Sequence, residues 1–104
     1  MRAGKQAKLA SRGWKVGDTR EFLDLSPEEE ALIELRLALA QGLRDRRMRK
    51  RLTQQELAVA VHSSQSRVAK MESGDPTVSI DLLMRSLIAL GASRRELARI
   101  IAPR

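Results

Sequence analysis

Cysteine and tyrosine are missing from this 104-residue chain, and its aromatics amount to one Trp and one Phe. Without cysteine there is neither a disulfide nor a thiolate metal site, which suits a reducing, cytoplasmic setting. With so few aromatics the core has to be built from Leu, Ile, Val, Ala and Met, as in small all-helical domains. The single His has no companion acids, hydroxyls or glycine-rich loop arranged for acid–base, nucleophilic or phosphate chemistry, so an enzyme lacks its parts and no cofactor is called for. No apolar run approaches the eighteen or so residues of a membrane span, and the amino terminus has no signal-peptide apolar centre. The expectation is one soluble cytoplasmic domain of modest core.

What is present is positive charge, unevenly placed. Twenty Lys and Arg against thirteen acids give a formal charge of +7, which attracts polyanions. Residues 1 to 20 carry six of the bases against Asp18 alone, interrupted by Gly4, Gly13 and Gly17. This composition predicts a partly disordered arm over residues 1–25, ahead of a folded domain over 26–104. From Glu21 to Glu34 six acids follow without a base, and then Arg44, Arg46, Arg47, Arg49, Lys50 and Arg51 surround Asp45.

Caps place the helices. Ser26-Pro27-Glu28-Glu29 supplies an N-cap hydroxyl, a first-position proline and an acid three residues after the cap, so a long helix starts there. Leu32, Leu35, Leu39 and Leu43, widened by Ile33, Leu37 and Ala40, predict one broad buried face. Thr53 with Glu56 opens a second helix with Leu57, Ala60 and Val61 inward. A sharp turn at His62 predicts a left-handed residue there, and Ser64 caps a third helix whose inner pair is Val68 and Met71. Ser79 and Ser93 start two more, bearing Ile80, Leu83, Leu87 and Leu90, then Leu97, Ile100 and Ile101. Two capped starts eleven positions apart, at Thr53 and Ser64, are the grammar of a helix-turn-helix.

The segments LTQQELA, SSQSRVAKME and SIDLLMRSLIALG closely resemble the five-helix domain of the Cro/cI or XRE family of DNA-binding regulators. The likeness spans roughly residues 32 to 101 and implies an all-α, lambda-repressor-like fold. The preceding GWKVGDTREFLDLSPEE and the phrase SQSRVAKMESGDPTVSIDLL are similar to HigA-type antitoxins, the DNA-binding halves of bacterial toxin–antitoxin pairs. Arg51 and His62 stand where the family often has Gly.

In helix-turn-helix docking the first turn of the second motif helix enters the major groove. Gln65, Ser66 and Arg67 are therefore the expected base readers. Gln can pair with adenine and Arg with guanine, each for roughly 1–3 kcal/mol of discrimination; the alternative is that they are ordinary exposed polar residues. Thr53, Gln54, Ser64 and Lys70 are expected at phosphates, against capping alone for Thr53. Arg47 and Lys50 are further backbone candidates, although a basic run over two helical turns points in every direction. Glu72 is expected to pair with a neighbouring base or cap the turn.

A homodimer on a palindromic double-stranded operator, with half-sites about 34 Å apart, is the usual way to gain affinity. Leu97, Ile100 and Ile101 are candidates for the pairing surface, with core closure as the alternative and the long Ser26 helix as a rival surface. Trp14, Val16 and Phe22 put the only two aromatics into the arm. Such residues can anchor a partner, or fold back on the long helix, the reading preferred for Phe22. The HigA-type resemblance implies that the partner is a basic RelE-like, HigB-like ribonuclease toxin, to which the acidic stretch is electrostatically suited. The alternative is a stand-alone XRE-type repressor with no toxin.

Overall fold

A computed structural model describes residues 24–103. Over these residues the chain is all α, with no strand: α1 Pro27–Arg49, α2 Gln54–Ala60, α3 Gln65–Ser73, α4 Ile80–Ala89 and α5 Arg94–Ile101. This is the five-helix Cro/cI-like arrangement. The expected arm residues Trp14, Val16 and Phe22 lie outside the described residues. The described residues divide into two units, one up to Leu32 and one from Ile33 onward. Of the first, the described part is chiefly the capped start of α1, where Ser26 and Glu29 exchange hydrogen bonds. The second unit holds the remainder of α1 and the other helices.

Each of α2 to α5 opens on a hydroxyl. Thr53, Ser64, Ser79 and Ser93 have extended backbones and accept from the amide three residues on. Glu56 and Glu96 complete capping boxes on α2 and α5. Such caps satisfy amides that have no partner inside the helix and stabilise it by about 1 kcal/mol each.

The ends of α1 to α4 are equally regular. In each, one amide reaches back five residues and its predecessor three: Leu52 to Arg47 and Arg51 to Met48, Ser63 to Ala58 and His62 to Val59, Asp75 to Lys70 and Gly74 to Met71, Ala92 to Leu87 and Gly91 to Ile88. This is the Schellman closure, and it needs one residue in the left-handed region. Gly74 and Gly91 adopt it at φ 75° and 90°; Arg51 and His62 adopt it at 57°. The left-handed turn expected at His62 is there, and Arg51 shares its geometry. Side chains thus occupy two positions where glycine would be unstrained.

The core of the second unit draws on every helix. Leu39 and Leu43 of α1, Leu57 and Ala58 of α2, Val68 and Met71 of α3, and Leu83 and Leu87 of α4 are fully buried, with Leu97 of α5 at 5% exposure. Two expectations need correction. On α2 it is Ala58, not Ala60, that is buried beside Leu57; Ala60 is exposed. On α1 the buried stripe is confined to Leu39, Ala40 and Leu43, while Leu32, Ile33 and Leu37 stay exposed. Within the second unit the helix is held along its later turns: Arg36 donates to the Val78 carbonyl, Gly42 lies under the Ile100 side chain, and Arg46 and Arg47 reach α5 and α3.

Candidate nucleic-acid interface

Helices α2 and α3 make the most extensive helix–helix contact of the fold, joined by the His62 turn. Val68 and Met71 turn inward and fix α3 to the core, Met71 accepting through sulfur from the buried Ser86 hydroxyl. Gln65, Ser66, Arg67 and Lys70 are consequently exposed together. The first turn of α3 carries no acid, unlike those of α2 and α5, where Glu56 and Glu96 sit three residues after the cap. The positive end of the α3 dipole and the Arg67 cation therefore face outward without a local counter-charge.

A chain of hydrogen bonds holds this turn from behind. Gln65 Nε2 donates to Gln54 Oε1 at 2.7 Å, and Gln54 Nε2 donates to Glu72 Oε1 at 3.1 Å. Glu72 in turn takes Arg47 Nε at 2.6 Å and Nη2 at 3.0 Å, a forked pair, while Arg47 Nη1 donates to the Leu52 carbonyl at 2.7 Å. Both ends of the ion pair are nearly dry, at 13% and 5% side-chain exposure. The Arg47 guanidinium is held positive by its hydrogen bond to Glu72 and by the carboxylate charge, against the opposing effect of burial. Gln54, Glu72 and Arg47, from three helices, thus orient the Gln65 amide. Gln54 presents its oxygen to Gln65, which leaves Gln65 Oε1 and one N–H for an outside partner.

The other expected residues divide. Ser64 Oγ accepts the Arg67 amide at 3.2 Å and lies 3.3 Å from Ser66 Oγ. Thr53 is a cap on both sides, its amide donating to Glu56 Oε1 and its hydroxyl oxygen accepting the Glu56 amide, so only the hydroxyl hydrogen remains to offer a phosphate. Lys50 is exposed near the α1–α2 turn. Arg47 is largely buried, and each of its side-chain nitrogens is hydrogen-bonded within the fold. At the carboxyl end, Leu97 belongs to the core and Ile100 packs against it over Gly42, so these two close the core; only Ile101 is exposed, at 39%.

One residue at this face was not singled out by sequence reasoning. Arg44 lines a cleft of about 230 Å³ with Arg47, Gln54, Ala69, Glu72 and Ser73. The signal was available in the helical period, because Leu39, Leu43 and Arg47 lie four apart on the inner stripe of α1, while Arg44 flanks it. A second basic cleft, of about 400 Å³, lies between α1 and α5, lined by Arg46, Arg49, Glu96, Arg99 and Ile100. There Arg46 pairs with Glu96 at 2.7 Å. The Glu96 carboxyl is lowered from 4.5 to about 2, first by the Ser93 amide and then by Arg46. Among the described residues no helix is long and apolar enough to cross a membrane.

A family model described as a helix-turn-helix domain matches residues 38–100. No curated protein and no solved structure matches the chain. The matched span begins within α1, just before Leu39, and ends at Ile100, taking in the whole buried core and the exposed turn of α3. The chain belongs to the helix-turn-helix domain family of DNA-binding proteins.

Proposed function

We infer that the chain is the DNA-binding antitoxin of a toxin–antitoxin pair, which represses its own operon as a homodimer and neutralises a RelE-like ribonuclease toxin by direct binding. The observation that carries the DNA half is the exposed Gln65-Ser66-Arg67 turn, braced through Gln54 and Glu72 by Arg47. In this reading Gln65 and Arg67 hydrogen-bond base edges in the major groove, Ser66 adds a less selective contact, and Gln54, Thr53, Ser64, Lys70 and Lys50 hold the backbone. Arg47 supports them from inside the fold.

The antitoxin half is supported by the resemblance of GWKVGDTREFLDLSPEE to HigA-type proteins. Residues 1–25 would carry toxin binding, with Trp14, Val16 and Phe22 as anchors, and residues 26–104 DNA binding. For the dimer, Ile101 at the carboxyl end, or Ile33 and Leu37 on the long α1, are among the exposed apolar residues that could meet a second copy. The test is co-purification with the product of the neighbouring gene, using the full chain and a form lacking residues 1–25, alongside binding to the upstream DNA. Capture by the full chain alone supports the reading. DNA binding with no captured neighbour makes the chain a stand-alone XRE-family repressor.

A further inference from the structure

We propose that the cleft between the end of α1 and the end of α3 seats one backbone phosphate of duplex DNA, with Arg44 as the cation that clamps it. The proposal rests on the DNA-binding reading of α3 and adds a contact to it.

The cleft walls are Arg44, Arg47, Gln54, Ala69, Glu72 and Ser73. Their charges are not equivalent. Arg47 and Glu72 neutralise each other in a forked pair that also ties up the outer nitrogens of Arg47. Arg44 is exposed and has no hydrogen-bond or ion-pair partner among the described residues. The cleft therefore presents one uncompensated guanidinium, whose planar fork matches two phosphate oxygens.

A second donor faces the same space. Gln54 Nε2 has two hydrogens, and Glu72 takes one; the other is available to an acceptor in the cleft. The same Gln54 accepts from Gln65, so an anion seated here lies one side chain away from the expected base reader. That adjacency favours a phosphate of the DNA strand being read over a free anion or an acidic protein segment. Ser73 Oγ donates to the Lys70 carbonyl and serves as a wall, not a donor. Neighbouring positions on α1 thus have different jobs: Arg47 holds the reading helix from inside, and Arg44, three residues earlier on the outer edge, holds the DNA.

The test is the salt dependence of binding of the full chain to its selected site and to a random duplex, with Arg44→Ala, Arg44→Lys and the control Arg95→Ala. One phosphate contact contributes about 0.9 to the slope of log K against log salt. Arg44→Ala is expected to reduce that slope by about one on both duplexes, which corresponds to about eightfold weaker binding at 0.1 M salt, vanishing near 1 M. Arg44→Lys should retain most of the slope, and Arg95→Ala, which removes the same charge elsewhere, should change it by much less. Thermal melting establishes that each variant is folded.

An unchanged slope for Arg44→Ala, or a change equal to that of Arg95→Ala, overturns the proposal. So does a deficit confined to competition by inorganic phosphate at constant ionic strength, which would make the cleft a small-anion site. If the unaltered chain binds neither duplex, the DNA-binding reading itself fails, a separate result.

Discussion

Gln65 donates to Gln54 across the turn of the helix-turn-helix, at 2.7 Å, so the amide at the front of α3 is oriented by the first residue of α2. Gln54→Ala removes that orientation without touching the residue expected at the base. Specific binding is expected to weaken by about 1 kcal/mol, roughly fivefold, with relaxed discrimination at one base position. Affinities for single-base variants of the selected site read this directly; a uniform loss at every position would make Gln54 a backbone contact only.

Arg47 and Glu72 form a dry, forked ion pair, and removing one partner strands the other. Arg47→Ala is expected to cost about 3–5 kcal/mol of stability. Replacing both, as Arg47→Met with Glu72→Leu, should recover much of that loss, because the buried charge disappears with its partner. Urea unfolding of the unaltered chain, Arg47→Met, Glu72→Leu and the double variant gives the coupling, and additive losses would contradict the pairing.

Arg51 and His62 hold left-handed backbones at φ 57° in closures where Gly74 and Gly91 serve the two other helices. A side chain there costs about 1–2 kcal/mol, partly offset by the entropy glycine loses on folding, about 0.5–1 kcal/mol. Arg51→Gly and His62→Gly should each stabilise the fold by about 0.5 kcal/mol, raising Tm by about 2–4 °C. Gly74→Ala should do the opposite, since its Cβ would also meet Leu37 Cδ2 at 2.6 Å. Lower melting temperatures for both glycine variants would contradict the strain.

Glu96 ties α5 to α1 through Arg46 and caps its own helix. Its folded pKa of about 2 lies below the ordinary 4.5. The stabilisation it provides is therefore complete above about 4.5 and is lost as pH falls toward about 2. Glu96→Gln is expected to flatten the acid limb of the stability curve across that window. Carboxyl chemical shifts followed through the same range check the titration midpoint.

The local half of the fold could be read from the sequence. Thr53, Ser64, Ser79 and Ser93 cap the helices they were expected to cap, and His62 takes the turn conformation, because caps and closures depend on residues within five positions. Val68 and Met71 were legible for the same reason, as an inner pair three apart. What was not legible depended on distance. Arg47 meets Glu72 across 25 positions, and nothing local marks that pairing except the inward phase it shares with Leu39 and Leu43. The apolar run of α1 was taken as one buried face, yet only Leu39, Ala40 and Leu43 of the helix are buried, and the positions that pack against the other helices are not marked in its own sequence. Ile100 and Leu97 were ambiguous because a short amphipathic helix looks alike whether its apolar side closes a core or meets another copy.

The most direct test of the DNA-reading role of α3 is selection of preferred duplexes from a random library by the full chain, repeated with Gln65→Ala and Arg67→Ala. The unaltered protein is expected to enrich a two-fold symmetric site. Each variant is expected to lose preference at one position of each half-site, worth about 1–3 kcal/mol, while weak binding to random DNA is retained. Selection of the same site with undiminished preference by both variants would contradict base reading by the front of α3.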